Sequence, residues 1–215
     1  MVLYCDADFA GDLKDSKSTS GSVVALVGQN TYVPVSAWCK KQPVIAHSST
    51  EAEVVSLDMA LHQEGLPVLT FWEEVVKLFG SKRPETRDPS KPLVPFVIAE
   101  DNESAIKICR NGRAPTMRHL HRTQRVNMDR LHETCTSEKV ELRYINTHSQ
   151  VADILTKHFT KVDAWNNLCR LLNIRPPPLT KRSCSVLFLS SLNARTSKCA
   201  GREPRRRRSH IACQA

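Results

Sequence analysis

Residues 96–109 read FVIAEDNESAIKIC: a short apolar run, then Glu100, Asp101 and Asn102, then a segment with helical composition. A brief apolar run that stops at polar residues suits a strand buried on both faces, as in parallel sheets covered by helices. Strand, acidic tip and helix in succession is an α/β signature. Asp101 then stands at the carboxyl end of its strand, where open α/β sheets bind ligands, while Glu100 alternates to the other face.

Toward the N-terminus, residues 2–10 (VLYCDADFA) mix β-branched, aromatic and small residues and lead into the turn-rich GDLKDSKSTSGS. SVVALVG from Ser22 and NTYVPVSAW from Asn30 are two more strand-like runs, separated by hairpin chemistry at Gly28, Gln29 and Asn30. Ser48, Ser49 and Thr50 ahead of Glu51 and Glu53 mark a helix start, with hydroxyl caps and acids in the positive first turn. Val54, Leu57 and Leu61 fall at i, i+3 and i+7, so an amphipathic helix is expected to about His62. Gly65 and Pro67 are expected to break or kink it before a second helical stretch at 68–79. Residues 80–95 form a polar loop with four prolines. Beyond the opening stretch, 120–134 is expected as a helix, 140–145 as an alternating strand and 151–157 as a helix again. The expected architecture is α/β: a mixed five-stranded sheet flanked by helices.

The chain has 215 residues and a net charge of +9, but residues 176–215 carry +8 of it. The high pI therefore describes a tail rather than a domain, and reading the whole chain as a basic nucleic-acid binder would be a mistake. Three prolines after Arg175 and a stretch without sustained period set the expected boundary: a folded domain at 1–175 and a basic, disordered tail at 176–215. Eight scattered cysteines without a CxxC pair exclude a zinc ribbon and a redox motif. The chain opens as a strand rather than a leader, and no apolar run approaches a membrane span, so an intracellular, cytoplasmic or nuclear protein with reduced thiols is expected. RRRR at 205–208 reads as a nuclear signal or a nonspecific nucleic-acid contact, with an extension of no function the rival reading.

Four acids occupy distinct settings: Asp6 in YCDADFAGD, Glu53 in SSTEAEVVSL, Asp101 in FVIAEDNESAI and Asp153 in QVADILTK. Singly, each has an ordinary reading as a strand-end, helix-surface, turn or helix-start acid. Together, carboxylates supplied by several elements are what a hard divalent cation requires. Asp6 and Asp8 share a strand face, whereas Glu51 and Glu53 lie roughly 200° apart on a helix, so only one of that pair can join the site.

The strings DADFAGD, KSTSGSV, WCKKQPVIAHSSTEAE, EDNESAI and YINTHSQVADILTK, in this order, resemble the ribonuclease H region at the C-terminal end of copia-type retrotransposon Pol polyproteins. They cover Leu3 to about Lys161. The resemblance implies a ribonuclease H-like fold and a nuclease that cleaves the RNA strand of RNA/DNA hybrids with two Mg2+ ions, Mn2+ substituting. It assigns Asp6, Glu53, Asp101 and Asp153 as metal-holding and catalytic residues and Asp6 as the bridging ligand; Asp8, on the same strand face as Asp6, is an auxiliary candidate. His148 lies in the loop where related enzymes carry an auxiliary histidine; a plain surface histidine is the rival reading.

Seven Lys or Arg between Lys107 and Arg130, against one Asp, provide a basic flank for phosphates. Arg118 and Arg122 are the candidates there, with Ser20, Asn102 and Thr147 for hydrogen bonds to 2′-hydroxyls. The partners implied are an RNA/DNA hybrid and, in an intact element, the reverse transcriptase segment of the same polyprotein; no membrane is involved. The family's upstream segments are not in this chain, so a fragment or separate copy is expected. The rival to an active enzyme is a decayed copy that only binds nucleic acid.

Overall fold

The structure, a computed structural model, describes residues 1–80 and 91–175. Five strands form one sheet: β1 Val2–Asp8, β2 Thr19–Gly28, β3 Thr31–Lys41, β4 Phe96–Glu100 and β5 Val140–Tyr144, in the order β3-β2-β1-β4-β5. β1, β2 and β3 pair antiparallel, while β1 with β4 and β4 with β5 pair parallel. This is the mixed five-stranded α/β sheet flanked by helices that the sequence led one to expect.

Local sequence accounts for each feature. β2 and β3 close through a two-residue turn, Gly28 opposite Thr31. Pro34 lies where the register shifts between Val24 and Ala25, and β3 is an edge strand; both settings tolerate a residue that cannot donate to the ladder. β1, at the centre, buries Leu3, Cys5 and Asp6.

Helix α1, Ser49–Ala60, starts at Ser48, whose hydroxyl accepts from the Glu51 N–H. The break or kink expected at Gly65 and Pro67 takes the form of a change of helix type. A widened π turn, Leu61–Gly65, interrupts the α-helix and leads into α2, Leu66–Phe79, with Pro67 in its first turn, where proline is best tolerated. Gly65 permits this close passage: a β-carbon there would lie 2.9 Å from Phe96 Cζ and 3.0 Å from Leu3 Cδ2. Val54, Leu57, Leu61, Phe96 and Ile98 form the core between these helices and the sheet.

α3, Glu103–Asn111, is capped by Asn102, which accepts from the Ala105 N–H at 3.0 Å. The single helix expected at 120–134 is two, α4 Leu120–Thr123 and α5 Met128–Cys135. Arg125 adopts φ 60°, which no helix accommodates, and Asn127 caps the new start by accepting from the Arg130 N–H. α6, Asp153–Thr156, is one turn of the helix expected at 151–157. α7, Val162–Leu171, has no counterpart in the sequence reading; Leu168 near its end and Leu172 after it are buried.

Residues Met1–Arg175 form one compact unit. Among the described residues no helix is long and apolar enough to cross a membrane. The expected tail at 176–215, with its RRRR, and the loop residues 81–90 lie outside the described residues.

Candidate active site

Asp6 lies near the end of central strand β1, Asp101 just past parallel neighbour β4, and Glu53 in the second turn of α1. Asp6, Glu53 and Asp101 each bring a carboxylate oxygen within 4.8 Å of the other two. Asp153, at the start of α6, joins through Lys157, whose ammonium lies 2.8 Å from Asp153 Oδ1 and 3.3 Å from Asp6 Oδ1. The four acids named from sequence therefore share one neighbourhood.

The scaffold around them is specific. Thr156 Oγ1 donates to Asp6 Oδ2, and Ser56 Oγ donates to the Asp6 carbonyl at 2.7 Å. Gln150, fully buried, donates from Nε2 to the Cys5 carbonyl at 2.8 Å and so fastens the Asp153 loop to the middle of the sheet. Gly21 pairs across from Asp6, and a β-carbon on it would come within 2.7 Å of Thr156 Cγ2 and 3.1 Å of Leu155 Cβ. Glycine at that register position is what lets α6 reach Asp6.

Burial sets the electrostatics. Glu53 is pushed up to about 10, first by burial and then by Glu100, Asp6 and Asp101. Burial and Asp6 raise Asp153 to about 6 against the lowering pull of Lys157, and burial with Asp6 raises Asp8. Burial opposes the Lys157 charge, but Asp6, Asp153 and Asp101 outweigh it and hold the ammonium protonated. Such a set of acids resists full ionisation unless a cation offsets the repulsion. Glu53 Oε2 supplies a direct sign: it is buried and has no hydrogen-bond partner. An orphaned carboxylate oxygen beside two further carboxylates fits a hard divalent ion, which takes oxygen ligands.

Glu100 is fully buried and committed elsewhere, accepting from Cys5 Sγ at 3.3 Å and from the Asn102 N–H at 3.1 Å. Burial raises its pKa well above the carboxylate range, and it adds to the repulsion on Glu53. Sequence reasoning set it apart from Asp101 but gave no sign of this influence.

The substrate candidates are placed unequally. Ser20 is fully buried, its hydroxyl accepting from Gln42 Nε2 at 2.9 Å. Asn102 is half-buried with its oxygen engaged as the α3 cap. Arg118, Arg122, Thr147 and His148 are exposed, and Asp8 is half-buried beside Lys157 and His158. A cavity of about 540 Å³ lies on the basic segment, lined by Arg113, Arg118 and His121 among others; none of the four acids lines it. Lys157, Thr156 and Gln150 were missed as site residues. Lys157 had a signal, lying four residues after Asp153 at salt-bridging helical spacing; the other two had none.

Over 178 residues the chain is 29% identical to the retrovirus-related Pol polyprotein from transposon RE1 of Arabidopsis thaliana. Over 179 residues it is 30% identical to the corresponding polyprotein from transposon RE2 of the same plant. Each alignment takes in 83% of this chain but 11% of the relative, so the chain spans about a ninth of the length of the polyproteins it matches. No protein-family model matches the chain. The crystal structure of LC11 ribonuclease H1 in complex with an RNA/DNA hybrid aligns with TM-score 0.43 and 11% identity, over 72% of this chain and 92% of that one. Over most of its length the chain is similar to one short segment of the retrovirus-related Pol polyproteins of transposons.

Proposed function

We propose that residues 1–175 are a ribonuclease H-type endonuclease that hydrolyses the RNA strand of RNA/DNA hybrids, with two divalent ions, Mg2+ or Mn2+, held by Asp6, Glu53, Asp101 and Asp153. The observation that carries this reading is the convergence of Asp6, Glu53 and Asp101 within 4.8 Å around a buried Glu53 oxygen that has no partner. When bound, such ions lower the pKa of an attacking water and neutralise charge on the leaving oxygen.

The chain's own residues supply the rest. Asp6, tied to Thr156 and Ser56, is the most tightly positioned acid and suits the bridging role. Lys157 keeps Asp6 and Asp153 together while the acids are otherwise unshielded. Arg118 and Arg122 hold backbone phosphates, and Thr147 and Asn102 contact 2′-hydroxyls, so the hybrid is read by shape rather than base sequence. In an intact element the reverse transcriptase segment of the same polyprotein is the partner, and residues 176–215 form a basic appendage outside the catalytic domain. The working compartment is the cytoplasm or nucleus.

A second reading, a decayed copy that binds hybrids without cutting, is favoured by one observation: the Lys157 ammonium already bridges Asp6 and Asp153 and competes with an incoming cation. Asp101→Asn separates the two. It removes a metal-holding charge at nearly constant shape, so with Mg2+ it should lower hybrid cleavage by at least about 100-fold while hybrid affinity stays within about threefold. Unmutated, folded protein that binds hybrids but never cuts them, with either ion, decides for the decayed copy.

A further inference from the structure

Glu51, two residues before Glu53, points away from the acid cluster and lies 3% exposed. Its Oε1 is 3.0 Å from His119 Nε2, and its Oε2 is 3.3 Å from His47 Nδ1. The two imidazoles meet edge to face with centroids 4.9 Å apart. All three ligand atoms lie within 4.8 Å of one another. The capping role of Glu51 at the start of α1 accounts for its position, since it accepts from the His47 N–H at 3.1 Å and donates its own N–H to Ser48. It does not account for two imidazoles from segments some 70 residues apart in sequence turning their nitrogens to the same carboxylate.

We propose that His47, Glu51 and His119 form a transition-metal site, of a Zn2+ class, separate from the acid cluster. Two imidazoles and one carboxylate are a set that Zn2+ takes with a fourth position left to water. Tetrahedral Zn2+ with bonds of about 2.0–2.1 Å separates neighbouring ligand atoms by roughly 3.3 Å; the histidines reach different oxygens of Glu51, at 3.0 and 3.3 Å, and one oxygen with both ring nitrogens lies within 4.8 Å, so a small turn of exposed His47 gathers the three round one ion. The His47 side chain is 74% exposed, so an ion reaches the site from solvent. The hydrogen bond from the His47 N–H also orients the Glu51 carboxylate, as outer partners of metal ligands do. The imidazoles distinguish this site from the all-oxygen cluster, which suits Mg2+.

The site joins the start of α1, which carries Glu53, to the segment that bears Arg118 and Arg122. Gln124 already ties that segment to the chain ahead of α1 by donating to the Val44 carbonyl at 3.1 Å, so the ligands stand close before any ion binds. The ion's role is to clamp the phosphate-facing segment to the helix of the acid site.

The test is Zn2+ titration by calorimetry of the full chain, stripped of metal, kept reduced and held in excess Mg2+ to fill the acid cluster, with Co2+ absorption reporting a tetrahedral nitrogen–oxygen site. One equivalent of Zn2+ should bind to the unmutated protein and to Asp101→Asn alike. His47→Ala and His119→Ala should each weaken that binding at least about 10-fold. His47 is exposed, so its variant should retain the fold, checked by circular dichroism, and it decides the matter if His119→Ala does not fold. Absence of Zn2+ binding, or binding unchanged in a folded histidine variant because the ion sits on thiols or the acid cluster, overturns the proposal.

Discussion

Glu53 concentrates the conflict at the site. Its folded-state pKa of about 10 exceeds the ordinary 4.5, so it stays protonated in the folded chain while the unfolded chain ionises it. Between those two values the folded state binds more protons, and stability from this group falls as pH rises. Glutamine is neutral in both states and escapes the loss. Metal-free Glu53→Gln should therefore be more stable than the unmutated protein by about 2 kcal/mol at pH 8, with the gap closing toward pH 5. Urea denaturation at both pH values checks this, and a gap that widens on acidification contradicts it. Mg2+ should reverse the ranking at pH 8, because only the carboxylate holds the ion. At this scale the four acids could be proposed from sequence because each stands at a recognisable point of an element. Lys157 and Glu100 were not, because their importance depends on neighbours up to 151 positions away that only the folded chain supplies.

The elements show why. Sequence periodicity identified the five strands and α1, whose patterns are local, and the structure brings Asp6, Glu53 and Asp101 from three of these elements within 4.8 Å of one another. It misread 120–134 as continuous because Arg125 carries no sign of positive φ, and it could not say that the interruption near Gly65 and Pro67 would be a π turn. Ser20 looked available for substrate, but pairing in β2 and the bond from Gln42 place it inside. The β1–β2 register likewise makes Gly21 part of the site without any chemical cue. Gly21→Val should force α6 off Asp6, weakening Mg2+ binding severalfold and costing about 1–3 kcal/mol of stability through overpacking. Thermal denaturation and Mg2+ calorimetry measure the two effects. A variant with unchanged metal affinity would show that α6 does not depend on that clearance.

For the whole molecule, charge separates what composition averages: residues 1–175 are nearly neutral and 176–215 carry +8. The core found among the described residues lies within Met1–Arg175, so deleting 176–215 should move the thermal midpoint by less than about 2 °C while weakening hybrid binding most at low salt. A large fall in midpoint would move the domain boundary. The central claim, that the acid cluster makes this chain an RNA-strand nuclease, is tested most directly by incubating purified protein with hybrid labelled on each strand in turn and with duplex DNA, with Mg2+ or with chelator. The account predicts cutting of the RNA strand alone, and only with the metal. Cutting that persists in chelator, or a folded protein that leaves the RNA strand intact in Mg2+ and Mn2+, contradicts it.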